Sequence, residues 1–166
     1  MSSLPIFNMN LSKIDFKASL NPNDRWVNNN KYYERYTVKG FLENELVGRL
    51  NITRATHCDK KNYEDFYFEF KDRMYIPKPY ISWQSTEENY RGQGINGHLI
   101  TLANEFYCKA FDSPLYSDIH FIKNTRKSTK RVWKKLEKNG LAIFEPYKNE
   151  TTKELQDRWK MIVINN

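Results

Sequence analysis

Residues Tyr90–Ile100 read YRGQGINGHLI, with a cation, Arg91, followed by Gly92, Gly94 and Gly97. Glycines let a backbone turn tightly and come close to a ligand. A helix that begins here directs unpaired N–H groups and the positive end of its dipole at the loop. Together with the fixed charge of Arg91, this makes an anion site suited to a phosphate or pyrophosphate. Two common phosphate loops are excluded: no Lys-Ser/Thr pair ends the segment, and the glycine spacing does not fit GxGxxG. A lone Gly-x-Gly would be read as a connecting turn.

A second group lies in LYSDIHF, residues 115–121, where Tyr116, Asp118 and His120 are two apart and share one face of a strand, with Ser117 on the other. An exposed strand face or a satisfied hydrogen-bond cluster explains such a trio as well as chemistry does. Glu87 and Glu88 stand just before the glycine loop, where solvated turn is the plain alternative. His57-Cys58-Asp59 has the residue types of a metal site, but no second ligand cluster accompanies it, so no metal is expected. His98 follows the loop on the helix and is expected to face solvent or phosphate. Cys108 falls in an apolar helical pattern and reads as a small core residue.

The elements that must carry these residues fit one domain spanning 1–166. Hydrophobic residues at 39% and aromatics at 15% mark a folded chain. No run approaches the roughly 20 apolar residues of a membrane span. MSSLPIFNMN lacks the basic start and apolar run of a secretory signal, so a cytoplasmic protein is expected. The net charge of +7 favours anionic partners without choosing among nucleotide-like cofactor, nucleic acid and acidic protein. Asn and Lys are abundant while Ala and Gly are scarce, a bias that discounts the charge as functional evidence.

Along the chain, a strand is expected at Ile14–Ser19 and a turn at Asn21–Asp24. Tyr32–Ala55 alternates through a hairpin with its turn at Leu42–Glu45. Further strands are expected at Phe66–Phe70 and, behind Pro77 and Pro79, at Tyr80–Thr86. Ile95, Leu99, Leu102, Ala103, Phe106 and Ala110 fall at helical spacing over Asn96–Phe111. A strand at Leu115–Ile122, a helix at Ser128–Asn139 with Val132, Trp133 and Leu136 inward, and strands at Leu141–Tyr147 and Arg158–Ile164 complete the chain. This order predicts a mixed α/β sheet in one layered domain.

Arg91-Gly92-Gln93-Gly94-Ile95-Asn96 resembles the pyrophosphate loop R/Q-x-x-G-x-G/A of the GNAT acetyltransferase superfamily, often written YRGxGIG before an apolar helix. Asn96 departs from it by standing where Gly or Ala is usual, with Gly97 as its neighbour. NTRKSTKRVWKKLEKNGLAIF is similar to the family's later segment N-x-x-A/S-x-x-x-Y-E-K-L-G-F through Asn124, Ser128, Val132, Trp133 and Leu136, with two extra residues between Asn124 and Ser128. The resemblance covers roughly 80–144. It implies a GNAT-like fold: a central, mostly antiparallel twisted sheet flanked by helices, with a splayed strand pair that opens an acyl-CoA slot.

It further implies acetyl-CoA as acyl donor and an amine acceptor, a small molecule or a protein, that attacks the thioester directly. The acyl-CoA-binding half would be 76–166, with contacts from Gln84, Ser85, Thr86, Arg91, Gly92, Gln93, Gly94, Ile95, Asn96, Gly97, Asn124, Ser128 and Trp133. Residues 1–75 would form a divergent acceptor-side half. The candidate general bases are Asp118 first, then His120 and Glu87. Ser82 holds a place where some relatives carry a glutamate. Where many relatives have a tyrosine that protonates the departing thiolate, this chain has Trp133, which cannot do so; Tyr147 is the candidate substitute. A thiol with a pKa near 8.5 also leaves tolerably unaided.

Two other readings stand beside this one. Lys123–Lys138 is strongly basic, which fits a nucleic-acid-binding or DNA- or RNA-modifying protein on a GNAT-like fold, as some phage-encoded relatives are; a solvated helix face is the simpler account. Asn96 and Trp133 also fit a non-catalytic acyl-CoA-binding relative. The aromatic-rich N-terminal half would suit a homodimer contact.

Overall fold

Alternation of apolar and polar side chains sets the first half of the fold, and helical spacing sets the second. The computed structural model describes residues 10–28, 31–57, 78–118, 127–148 and 153–163. Among them the strands are β1 (Asp15–Lys17), β2 (Asp24–Asn28), β3 (Lys31–Leu42), β4 (Glu45–His57), β5 (Tyr80–Thr86), β6 (Tyr116–Ser117), β7 (Ala142–Phe144), β8 (Tyr147–Lys148), β9 (Leu155–Gln156) and β10 (Trp159–Met161). The helices are α1 (Ile95–Phe111) and α2 (Lys127–Lys138), with short 3-10 turns at Leu11–Lys13 and Glu88–Tyr90.

The main sheet runs β1-β3-β4-β5-β6-β10-β7, and β2 also pairs with β3. Phe16 pairs with Gly40 and Trp26 with Tyr33, so β1 and β2 share one edge of β3 like a broken strand. Every pairing is antiparallel except β5 with β6. β8 and β9 form a separate ribbon. This is the mixed, mainly antiparallel sheet with two helices expected from the residue pattern and its GNAT-like reading.

The β3–β4 hairpin turns through Glu43 (φ 50°) and Asn44 (φ 68°), a two-residue left-handed turn whose twist matches that of the strands. Even-numbered residues of β3, among them Tyr36 and Val38, face α1 and are buried with Leu50 and Ile52 of β4. Gly48 of β4 lets the helix rest on the sheet: a Cβ there would stand 2.9 Å from Ile95 Cγ2 and 3.0 Å from Leu99 Cδ1.

One buried charge sits on this face. Glu34, 5% exposed, accepts from the Tyr32 hydroxyl (2.7 Å), the Tyr36 hydroxyl (2.8 Å) and Arg54 Nη2 (2.9 Å). Burial and then the Glu34 charge push the Tyr36 phenol well above its ordinary range. A carboxylate this enclosed persists because three donors replace its water.

Several boundaries differ from the sequence reading. α1 buries Ile95, Leu99, Ile100, Ala103, Asn104, Tyr107 and Phe111, a stripe rotated away from the expected one. Phe106 is 40% exposed and meets Phe16 edge-on at 5.8 Å, while Ala110 is exposed and Cys108 only half-buried. The larger rings of Tyr107 and Phe111 take the core because Tyr36 lies against both, at 5.5 and 5.0 Å. β2 was not expected; it begins at Asp24, where the expected turn Asn21–Asp24 ends. Of the expected strand Leu115–Ile122, the described part pairs only at Tyr116–Ser117. The segment 141–147 is broken between β7 and β8 at Pro146, which has no N–H to give a ladder. The expected strand Phe66–Phe70 lies outside the described residues. On α2, Trp133 and Leu136 are buried and Val132 half-buried, as the spacing predicts. No helix among the described residues is long and apolar enough to cross a membrane.

Candidate functional site

β5 parts from β6 almost at once. Tyr80 faces Tyr116 and Ile81 faces Ser117, and no later pair joins them among the described residues. β4 holds β5 throughout, with a register shift at which Ser82 is the extra residue between Ile81, opposite Ile52, and Trp83, opposite Asn51. The Thr53 hydroxyl donates to Ser82 Oγ (2.7 Å), and Ser82 donates to the Asn51 carbonyl (3.3 Å). Such a bulge bends its strand. Beyond it, Trp83–Thr86 has one edge on β4, and among the described residues no strand pairs with the other.

Alternation tells which backbone groups face the open edge. The Glu87 N–H donates to the Val47 carbonyl (2.9 Å), so Ser85 also turns to β4 while Gln84 and Thr86 turn outward. The Thr86 carbonyl confirms its direction by accepting from Arg91 Nε at 3.2 Å. The chain then makes the 3-10 turn Glu88–Tyr90 and passes Gly92 and Gly94 at φ 81° and 80°. Gly94 caps α1 in the left-handed region, where a side chain would be strained by about 1–2 kcal/mol. Gly94 has no side chain to cap the helix, so the first N–H groups of α1 receive no cap from it.

This end of α1, the open edge of β5 and the first turns of α2 enclose a cavity of roughly 970 Å³. Its size matches small-molecule and cofactor sites. Arg91, Arg131 and Lys135 line it, with hydroxyls from Thr101, Ser128 and Thr129, and among the described residues no aspartate or glutamate does. Such a wall attracts anions. His98 also lines it; burial lowers its pKa, against the raising effects of Glu105 and a backbone hydrogen bond at Leu11. It therefore adds no full charge at neutral pH. Asn96 Oδ1 is buried in the first turn of α1 without a hydrogen-bond partner in the described structure.

Of the residues expected to hold a cofactor, Gln84, Ser85, Thr86, Arg91, Gly92, Gln93, Gly94, Ile95, Asn96, Gly97 and Ser128 all line this one cavity. Trp133 does not; it is 0% exposed and belongs to the core beneath α2. Asn124 lies outside the described residues, as do His120 and Cys58. Arg131 and Lys135 belong to the basic stretch Lys123–Lys138 and were not expected individually among the cofactor contacts. Their signal was there: with Ser128 they stand at i, i+3 and i+7, one face of α2.

The expected acid–base residues that the structure describes are dispersed. Asp118 follows β6 where the two strands part; its charge, after burial, raises the Tyr80 phenol to about 12. Tyr116 is buried between Arg158 (4.8 Å) and Lys78 (5.2 Å), and Ser117 Oγ accepts from the Trp159 N–H at 2.8 Å. Those two are structural. Glu87 is exposed beside the loop, outside the cavity lining. Tyr147 lies on the β8–β9 ribbon against Arg158 at 5.3 Å and does not line the cavity. No cluster of three or more metal-ligating side chains occurs among the described residues.

No protein-family model matches the chain, and a search of curated proteins finds no match. Among solved structures the chain is similar to a protein of Bacillus anthracis str. Ames assigned as a streptothricin acetyltransferase, crystallised with acetyl coenzyme A. The identity is 13% and the TM-score 0.46, over 78% of this chain and 63% of that one. The chain thus spans less than two thirds of that protein's length. At this distance no activity is carried from one chain to the other.

Proposed function

We propose that the chain is a single acyltransferase domain that binds acetyl-CoA in the α1 cavity and transfers the acetyl group to an amine. One observation carries this reading: a cavity whose described lining holds Arg91, Arg131 and Lys135 and no carboxylate joins a glycine-rich helix start to the outer edge of β5 beyond its fork with β6. The helix start and Arg91 suit a pyrophosphate. The outward backbone groups of Gln84 and Thr86 suit the amides of an extended pantetheine arm, which would lie along β5 as an added strand does. Arg131 and Lys135 suit a further phosphate. Asn96 Oδ1 is a buried acceptor in need of an N–H, and leaving it unmet costs about 1–3 kcal/mol.

Asp118 is the foremost general base on this reading, since it stands at the fork of β5 and β6 where a thioester at the end of the pantetheine arm would lie. Glu87 is too far out on the loop to share the cavity. Trp133, enclosed in the core, takes no part in proton transfer. The nucleic-acid reading is weaker because Arg131 and Lys135 turn to the cavity and Lys130 is paired with Asp157 at 3.0 Å.

Calorimetric titration with acetyl-CoA tests the reading. Micromolar binding by the wild type, lost in an Arg91→Ala, Gly94→Trp double variant, is expected. A wild type that binds no acetyl-CoA contradicts it.

A further inference from the structure

The sheet face opposite α1 carries a second cavity, a cleft of roughly 650 Å³ built by β2, β3, β4 and β5. Odd-numbered residues of β3 and β4 line it, because the even-numbered ones of β3 are committed to the core. Its floor is polar: Asn23 Nδ2 donates to Thr37 Oγ1 (2.8 Å), which donates to Asn51 Oδ1 (3.1 Å). Its walls are two cation–aromatic stacks, Arg35 over Trp26 at 4.7 Å and Arg49 over Trp83 at 4.8 Å. Trp83 lines this cleft and the α1 cavity alike, so the two meet at β5 beside the fork.

The charges of the two arginines differ in state. Arg35 is neutralised by Asp24 at 3.2 Å. Arg49 is exposed, stacks one guanidinium face on Trp83, and has no carboxylate or hydrogen-bond partner among the described residues. Its N–H donors are therefore available in the plane of the group, the geometry that takes a carboxylate or a phosphate. A polycation would be repelled by this same charge. Tyr80 lines the cleft as a neutral donor, its phenol held at about 12, with Asp118 close by.

We propose that the cleft receives the acyl acceptor, and that this acceptor is a small amine carrying its own carboxylate or phosphate, bound by Arg49 while the amine reaches the fork beside Trp83. The inference rests on the acetyl-CoA reading above. In the reaction the amine nitrogen bonds to the thioester carbonyl carbon, the C–S bond breaks, and the sulfur leaves as thiolate. The proton lost by the nitrogen passes to a base at the fork and balances the one the thiolate takes up.

Thiol release from acetyl-CoA, measured with glutamate, glucosamine 6-phosphate and spermidine as acceptors, tests this. The wild type is expected to turn over at least one anionic amine in preference to spermidine. Arg49→Ala is expected to raise that amine's KM about tenfold or more, with the KM for acetyl-CoA unchanged. Arg49→Glu should shift the preference towards spermidine. Spermidine preferred by the wild type, no anionic amine acetylated by a protein that binds acetyl-CoA, or an Arg49→Ala enzyme with unchanged KM each overturns the acceptor assignment and leaves the cofactor reading standing. Absence of acetyl-CoA binding fails at the earlier step and is seen separately by calorimetry.

Discussion

Arg91 donates from Nε to the Thr86 carbonyl across 3.2 Å, which fastens the loop's cation to the open edge of the strand before it. With Nε so used, the two terminal nitrogens remain for an anion at the start of α1. Arg91 is exposed, so Arg91→Ala should leave the fold intact. Acetyl-CoA affinity should fall about 10- to 100-fold, the worth of a charge-assisted hydrogen bond. Calorimetry beside a melting curve checks both.

The glycines of the loop should respond in opposite ways. Gly94 sits at φ 80°, so Gly94→Ala should cost about 1–2 kcal/mol although Leu11 is no closer than 3.8 Å. Gly97 is helical, and a Cβ there would meet Leu136 and Val132 at 3.7 and 3.8 Å, ordinary contact. Gly97→Ala should therefore gain up to about 1 kcal/mol of helix propensity. Denaturant unfolding of the two variants distinguishes them; equal losses would contradict the geometry.

Much of this loop was legible because its chemistry is local. A cation, glycines and a following helical stripe are contiguous, and all but two of the thirteen residues expected at the cofactor lie on the cavity wall (Trp133 lies in the core, and Asn124 lies outside the described residues). The β3–β4 hairpin and Tyr80–Thr86 were legible for a similar reason, since alternation is a property of neighbours. The cleft around Arg49 was not. Its residues come from four strands, and only the registers of β2 with β3, β3 with β4 and β4 with β5 bring them together. The rotated stripe of α1 is likewise a tertiary effect: Tyr36 selects Tyr107 and Phe111, which spacing alone ranks no higher than Phe106 and Ala110.

Glu34 should be the most sensitive polar residue of the sheet. Glu34→Ala removes the acceptor shared by the Tyr32 and Tyr36 hydroxyls and by Arg54, whose side chain is 12% exposed, and should cost about 3–5 kcal/mol. Chemical denaturation measures this, and a cost below about 1 kcal/mol would show the pair to be open to water.

Stability should also depend on His98. Its folded pKa is lowered, chiefly by burial, so protons bind the unfolded chain more readily. Its contribution is complete above the ordinary value of about 6.5 and is lost as pH falls through the lower folded value. Melting temperatures between pH 7.5 and 5 should decline on the acid side, and His98→Gln should flatten that decline. The opposite limb comes from Tyr80 and Tyr107, both raised to about 12 chiefly by burial. Their contribution is present below about pH 10 and lost as pH rises towards the folded values.

The central claim is that the cavity at the start of α1 takes the pyrophosphate and pantetheine of acetyl-CoA. Amide resonances of ¹⁵N-labelled protein, followed through a titration with acetyl-CoA, report this residue by residue. The account predicts the largest shifts at Gln84, Thr86 and Gly92–Gly97, with smaller ones at Arg131 and Lys135. Shifts confined to the outer lysines of α2, or none at all, would contradict it.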